Sequence, residues 1–166
     1  MSYLALNLLL AVVWMLLTGG FSLFSLGVGL VMGFVAISAG QSVIGSRRYV
    51  RAVAGTGRLL VGFVRELVVA NLQLARDILR PNPPFVPGFL AFDVRALGRA
   101  ETVALANLVS LTPGTVSVDL DDEGLTLYVH TLYAHDPEAT RAGLRRLARL
   151  VHGALGDDPS EAETEP

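Results

Sequence analysis

Residues 1–46 contain no Asp, Glu, Lys, Arg or His, and that absence constrains the fold more than any motif further on. A segment in hydrocarbon must satisfy its own backbone polar groups, which favours helices. Tyr3 to Leu17 is almost unbroken hydrocarbon, with Asn7 as its one amide and Trp14 near its far end. At 1.5 Å per residue this run is short for a core of about 30 Å, although Phe21 and the turns beside it extend it. Thr18-Gly19-Gly20 breaks the pattern, and a second apolar run extends from about Phe21 to Ile44, long enough to span. A cleaved signal peptide is the competing reading. It fits poorly, because no positive charge precedes the first run and a second follows at once. The segment reads as a two-helix transmembrane hairpin.

Gly29 and Gly33 form a small-xxx-small pair, and Ala36 and Gly40 form another. Spacing of four places small residues on one helix face, where backbones approach closely. The alternative is that such pairs arise by chance in a Gly/Ala-rich span. Intramembrane proton and cation pathways need acidic or basic side chains. The hairpin has none, so it is not expected to carry ions itself.

Charge begins abruptly after the second run. All 13 basic residues are Arg, and those at 47, 51, 58, 65, 76 and 80 fall within roughly 60° of one another on a helical wheel. Arg48 stands beside them. Val53, Leu60, Phe63, Val64, Leu67, Leu74 and Ile78 occupy the other side, so residues 47–80 read as an amphipathic helix. By the positive-inside rule Arg47, Arg48 and Arg51 are cytoplasmic. The Arg65-Glu66 pair argues against a third lipid-exposed span, since one central charge costs about 2.5–3.5 kcal/mol even on lenient scales. A helix lying in the membrane interface is favoured. A third span, or a soluble helix packed on the domain that follows, are the alternatives.

Pro81-Asn82-Pro83-Pro84 and Pro87-Gly88 end that helix. Phe89 to Val94 reads as a strand. Arg99 to Ser110 reads as a helix whose apolar side is either Val103, Ala106 and Leu111 or Leu105, Leu108 and Val109. Thr112-Pro113-Gly114 is a turn signal. Thr115 to Leu120 places Val116, Val118 and Leu120 on one strand face. Asp121-Asp122-Glu123-Gly124 reverses the chain, and Leu125, Leu127 and Val129 alternate again, which makes a β-hairpin. Asp136-Pro137 has the form of a helix start, Asp at N-cap and Pro at N1. Leu144, Leu147, Leu150, Val151 and Leu155 then face one way and Arg141, Arg145, Arg146 and Arg149 the other. Residues 81–156 thus form a small α+β domain in the order β-α-β-β-α, too small to be robust alone. Residues 157–166 hold five acids and no base, a composition expected to be disordered.

Chemistry is hard to find here. There is no Cys, which removes disulfides and thiolate metal sites. His130 and His135, with Asp119 and Asp136, match no ligand spacing, and no third ligand is placed. His130 is expected on the solvent side of its strand or at a subunit surface. No base has a defined relation to Ser110 or Thr112, and Leu111–Thr115 lacks the glycines of a phosphate loop. The sequence points to no enzyme activity, no cofactor, no metal and no nucleic-acid partner.

The run Ala106-Asn107-Leu108-Val109-Ser110-Leu111-Thr112-Pro113-Gly114-Thr115-Val116-Ser117-Val118-Asp119, followed by Leu127-Tyr128-Val129-His130, resembles the signature of the E subunit of the Mrp (also Mnh or Sha) cation/proton antiporters. Asn7 and Trp14 in the first span, the Gly-rich second span and the helix ending in Arg80-Pro81 fit the same pattern. The resemblance implies a small accessory subunit of a multisubunit Na+/H+ exchanger in a bacterial plasma membrane, beside large polytopic sister subunits that carry the ionisable residues. Asn107, Leu111, Thr112, Pro113, Gly114, Thr115 and His130 are then motif residues that either shape a turn or touch a sister subunit. The alternative function is a freestanding membrane-tethered module that binds a cytoplasmic ligand. A membrane-bound hydrolase using His130 is a third.

Overall fold

The computed structural model describes residues 3–40 and 47–156. The readings for Ile44 and for the acidic tail over 157–166 lie outside the described residues. The chain divides into two compact units, Met1–Ala54 and Gly55–Pro166.

In the first unit, α1 (Tyr3–Thr18) and α2 (Leu23–Ala39) pack on one another. Gly19 at φ 65° makes the break between them, and the Ser22 side chain caps α2 by accepting from the Ser25 amide. The hairpin therefore forms; α1, with 16 residues, matches the run Tyr3–Leu17, whereas α2, with 17, is shorter than the second apolar run suggests. At 1.5 Å per residue these span about 24 and 26 Å. Among the described residues, no helix is long and apolar enough to cross a membrane. The break at Thr18-Gly19-Gly20 ends α1 where the sequence places it, because the left-handed glycine terminates a helix.

Gly29, Gly33 and Ile37 form the buried row of α2. A Cβ on Gly29 would stand 2.9 Å from the Ala11 backbone, and one on Gly33 would strike the Asn7 amide oxygen. Ala36 is exposed and Gly40 caps the helix, so Ile37, and not the Ala36–Gly40 pair, continues the close contact. Asn7 is buried, and its Nδ2 donates to the Tyr49 hydroxyl at 2.6 Å. Tyr49 lies near the start of α3 (Arg47–Ile78), between the rings of Tyr3 and Phe34.

The second unit holds the rest of α3 and the elements β1 (Gly88–Asp93), α4 (Arg99–Leu111), β2 (Thr115–Leu120), β3 (Thr126–Thr131) and α5 (Pro137–Leu155). The β-α-β-β-α order is the one read from the sequence. The three strands are antiparallel in the order β1-β3-β2, so β1 pairs with the far strand of the hairpin. One sheet face meets α4 and α5 through Leu90, Phe92, Leu127, Val129, Leu105, Val109, Leu144 and Leu147. Each such side chain contributes about 1.5–3 kcal/mol by leaving water. On α4 the second apolar set is the inward one, while Val103 and Leu111 are exposed. The Asp136 side chain caps α5 by accepting from the Ala139 amide, with Pro137 in the first turn.

The buried face of α3 differs from the one the arginine stripe suggests. Gly55 abuts the Gly153 carbonyl, a Cβ on Gly62 would stand 2.6 Å from Leu150, and Glu66 pairs with Arg146 at 2.9 Å. Ascending numbers on α3 thus meet descending ones on α5, so the two helices run antiparallel. Phe63 reaches the core, and Leu67 and Leu74 are half-buried. Val53, Leu60, Val64 and Ile78 instead stay exposed, along with Val61, Val68, Leu72 and Leu79. The helix therefore has three faces: a packed one, an arginine edge and an uncovered apolar stripe.

Candidate functional site

The Leu111–Thr115 motif sits where α4 ends, and its side chains explain how it ends. Thr112 Oγ1 donates to the Leu108 carbonyl at 2.8 Å and its amide to Val109 at 3.1 Å. The Thr115 amide closes back on the Thr112 carbonyl at 3.2 Å, and Gly114 has φ 87°. Pro at i+1 and a positive-φ glycine at i+2 is the signature of a type II turn. Thr115 Oγ1 donates to the Val109 carbonyl at 2.9 Å, and Ser117 Oγ to that of Ala106 at 2.8 Å. The two threonine hydroxyls serve carbonyls of the last helical turn, where intrahelical partners run out, and the Ser117 hydroxyl ties β2 to α4. Asn107 and Leu111 are exposed beside them.

Tyr133 connects this turn to α3. A Cβ on Gly114 would lie 3.2 Å from its ring, and Phe85 and His135 pack edge-on at 5.9 and 6.1 Å. Its hydroxyl donates to Asp77 Oδ2 at 3.1 Å, and Asp77 pairs with Arg80 at 3.3 Å. Asp77 is only 5% exposed. Burial, reinforced by the Asp77 carboxylate, pushes the Tyr133 pKa up, so the phenol stays protonated and remains a donor. Cavities of about 220 and 520 Å³ flank the ring; Thr112, Pro113 and Thr115 line the first, Arg76, Asp77 and Arg80 the second. The arrangement is a joint: it ties the C-terminal end of α3 to the turn and leaves the turn's hydroxyls bonded to backbone.

Sequence reasoning missed Tyr133. The contact to Asp77 spans 56 residues, and only the out-of-place acid on an arginine-edged helix hinted that Asp77 has a partner. His130 stands elsewhere, on the outer sheet face, edge-on to Phe89 at 5.2 Å. His135 packs on Tyr133, Asp136 caps α5, and Asp119 accepts from the Leu120 amide. Among the described residues, no group of three His, Cys, Asp or Glu could hold a metal. Arg58, Arg65 and Arg76 lie exposed on α3, Arg80 is exposed just past its end, and Arg51 is exposed near its start. Arg47 opens that helix, but its side chain and that of Arg48 lie outside the described residues.

The profile of a family described as "Na+/H+ ion antiporter subunit" matches residues 7–152. The chain belongs to that family. Among curated relatives of this family, the E1 subunit of the Na+/H+ antiporter of Staphylococcus haemolyticus is 28% identical over 92% of this chain and 96% of its own length. The protein of the same name from Staphylococcus aureus is 28% identical over 89% and 96%. Among solved structures, a chain of the Mrp complex from Dietzia sp. DQ12-45-1b aligns with 29% identity over 58% of this chain and 91% of that one, at TM-score 0.46. The antiporter-subunit family match runs through both units, from Asn7 in α1 to His152 in α5.

Proposed function

We propose that this chain is an accessory subunit of a multisubunit Na+/H+ antiporter in a bacterial plasma membrane, supporting assembly or stability rather than carrying ions. One observation carries the accessory role: residues 1–46 have no acidic or basic side chain, so the hairpin offers no relay for a proton or a site for a cation. The hairpin is the membrane-embedded part, with Leu8, Leu9, Leu16, Leu17, Phe21 and Phe24 exposed on it for lipid or sister subunits. Residues 47–80 lie along the cytoplasmic surface, the apolar stripe of α3 turned to the bilayer and its arginines to the headgroups. Each Arg near an anionic leaflet adds about 1 kcal/mol. Residues 81–156 hang in the cytoplasm, where Phe89, Val116, Val118 and Tyr128 leave an apolar sheet face for a large polytopic partner.

Affinity purification of the tagged chain from native membranes tests the assignment. Large many-span proteins co-purify in fixed ratio, and deletion of the chain lowers the amount of intact complex. A chain that migrates alone, in a strain whose antiport is unchanged by its deletion, rules the assignment out. Topology is read separately: a Cys at position 125 or 140 stays unlabelled by an impermeant thiol reagent on intact cells.

A further inference from the structure

Away from the motif, α5 and the turn after β1 line an open cavity of about 470 Å³. That volume lies in the range of small-ligand sites, about 300–1,000 Å³. Its floor is apolar: Phe92 belongs to the core, and Leu97 and Ala148 pack against it. Its rim carries the cationic side chains of Arg145, Arg146 and Arg149 along α5, with the His152 imidazole beside them. The one acid, Asp93, is already paired with Arg95 at 3.1 Å.

The arginines are not equally committed. Arg146 is held by Glu66 at 2.9 Å, whereas Arg145 reaches Glu138 only at 3.8 Å. Arg149 has no ion pair among the described residues. His152 engages Glu101 through Nδ1 at 2.8 Å, which leaves its second ring nitrogen uncommitted. Arg145 and Arg149 are one helical turn apart and share a face. A second groove, of about 330 Å³, is lined by Arg149 and Arg146 together with Arg65. Glu66 also lines that groove and pairs with Arg146 and Arg65 at 2.9 and 3.5 Å, so a carboxylate stands between the rim and the arginine edge of α3 and Arg149 is the cation it leaves unpaired.

Apolar floor and cationic rim together select an anion attached to something greasy. A bare inorganic anion would leave Phe92 and Leu97 unused, and a neutral amphiphile would leave Arg149 unanswered. We propose that this cavity binds the headgroup of an anionic phospholipid. The phosphate sits on Arg149 and Arg145, where the planar guanidinium suits bidentate contact, and the glycerol and first acyl carbons lie over Phe92 and Leu97. The lipid as the source rests on the reading of α3 as a surface helix; the phosphate-plus-apolar chemistry does not.

Calorimetric titration of the purified full chain in maltoside micelles tests it, with dioctanoyl phosphatidylglycerol, dioctanoyl phosphatidylcholine and inorganic phosphate as probes. Phosphatidylglycerol binds saturably and at least tenfold more tightly than the other two. R145A/R149A weakens it at least tenfold, Arg149→Glu abolishes it, and Arg99→Ala, an exposed arginine at the start of α4, leaves it unchanged. Circular dichroism shows the exposed variants folded. Equal affinity for phosphatidylcholine, full competition by inorganic phosphate, or indifference to R145A/R149A each overturns the site. A spin label at Val64→Cys in anionic vesicles reads the seating of α3 independently. A water-exposed label with intact phosphatidylglycerol binding sinks the surface-helix reading and not the cavity.

Discussion

Glycine brings helices together in both units, and the two uses differ in what the glycine meets. In the hairpin, Gly29 faces the Ala11 backbone, and nothing there can move aside. Between α3 and α5, Gly55 likewise faces a carbonyl, that of Gly153, but Gly62 faces only the end of the Leu150 side chain. Around these contacts the hairpin has leucines and one buried amide, while the α3–α5 pair has Glu66–Arg146 at 2.9 Å. Close approach is thus a backbone property, indifferent to solvent, and the residues beside it declare which solvent each unit expects. The hairpin also holds its polar atoms less completely: Asn7 Oδ1 and Ser38 Oγ are buried without a hydrogen-bond partner among the described residues. The α+β unit places its turn hydroxyls on backbone carbonyls.

The largest expected effect separates the two kinds of packing. Leu105 is fully buried under the sheet, and Leu105→Ala is expected to cost about 2–5 kcal/mol through lost transfer energy and the cavity left behind. Hydrogen exchange of the Leu127 and Val129 amides accelerates accordingly, while α1 and α2 keep their protection. Loss of protection in both units at once would break the comparison.

The glycines come next. Gly29→Ala and Gly55→Ala force a methyl into backbone, an overpacking cost of about 1–3 kcal/mol. Gly62→Ala pushes only on Leu150, which can rotate, and alanine regains about 1 kcal/mol of helix propensity. Its net effect is near zero or stabilising. Thermal unfolding of the three variants in the same detergent gives the ranking, and a Gly62→Ala as damaging as Gly55→Ala shows that the α3–α5 contact has no slack. Of the same order is Tyr133→Phe, which removes one hydrogen bond to a buried carboxylate at about 1.5–3 kcal/mol for a charged partner, less where water reaches the site. Exchange at Leu74–Ile78 should rise while the Thr112–Thr115 turn stays protected.

These sites also mark where the sequence was readable. Local chemistry was legible: Asp136-Pro137 starts α5, Thr112-Pro113-Gly114 makes its turn, and the reversal after Leu120 closes β2 on β3, because each depends on neighbours a few residues away. Partnership at a distance was not. The alternation Val116-Val118-Leu120 does not keep to one face: Val116 pairs with His130 on the outer face while Ser117 bonds α4 on the inner one, and the bulge between Ser117 and Asp119 then brings Leu120 opposite Leu127 of the core. The same holds for α3, where the arginine edge is visible but Gly55, Gly62 and Asp77 reveal themselves as the packed face only once α5 and Tyr133 are beside them. The end of α2 was overread because the apolar run continues past the helix, which stops at Ala39 with Gly40 as its cap.

The smallest prediction concerns the reversal after β2, and pH is the lever. Asp121 Oδ1 accepts from the Leu125 and Thr126 amides at 2.6 and 3.0 Å. Its pKa is lowered, first by the backbone hydrogen bond from Thr126, against a smaller opposing effect of burial. A carboxylate with a folded pKa below its unfolded value of about 3.9 stabilises the fold above that value, and the contribution is lost as pH falls through the folded pKa. The turn therefore holds from neutral pH down to about 4 and loosens below it. Amide exchange at Leu125 and Thr126, corrected for intrinsic rates, should rise in that acid window, and Asp121→Asn should show the looser turn already at pH 7. No comparable step is expected in α1 or α2, which contain nothing to titrate there. An acid transition in the hairpin at the same pH would mean that the two units do not keep their chemistry apart.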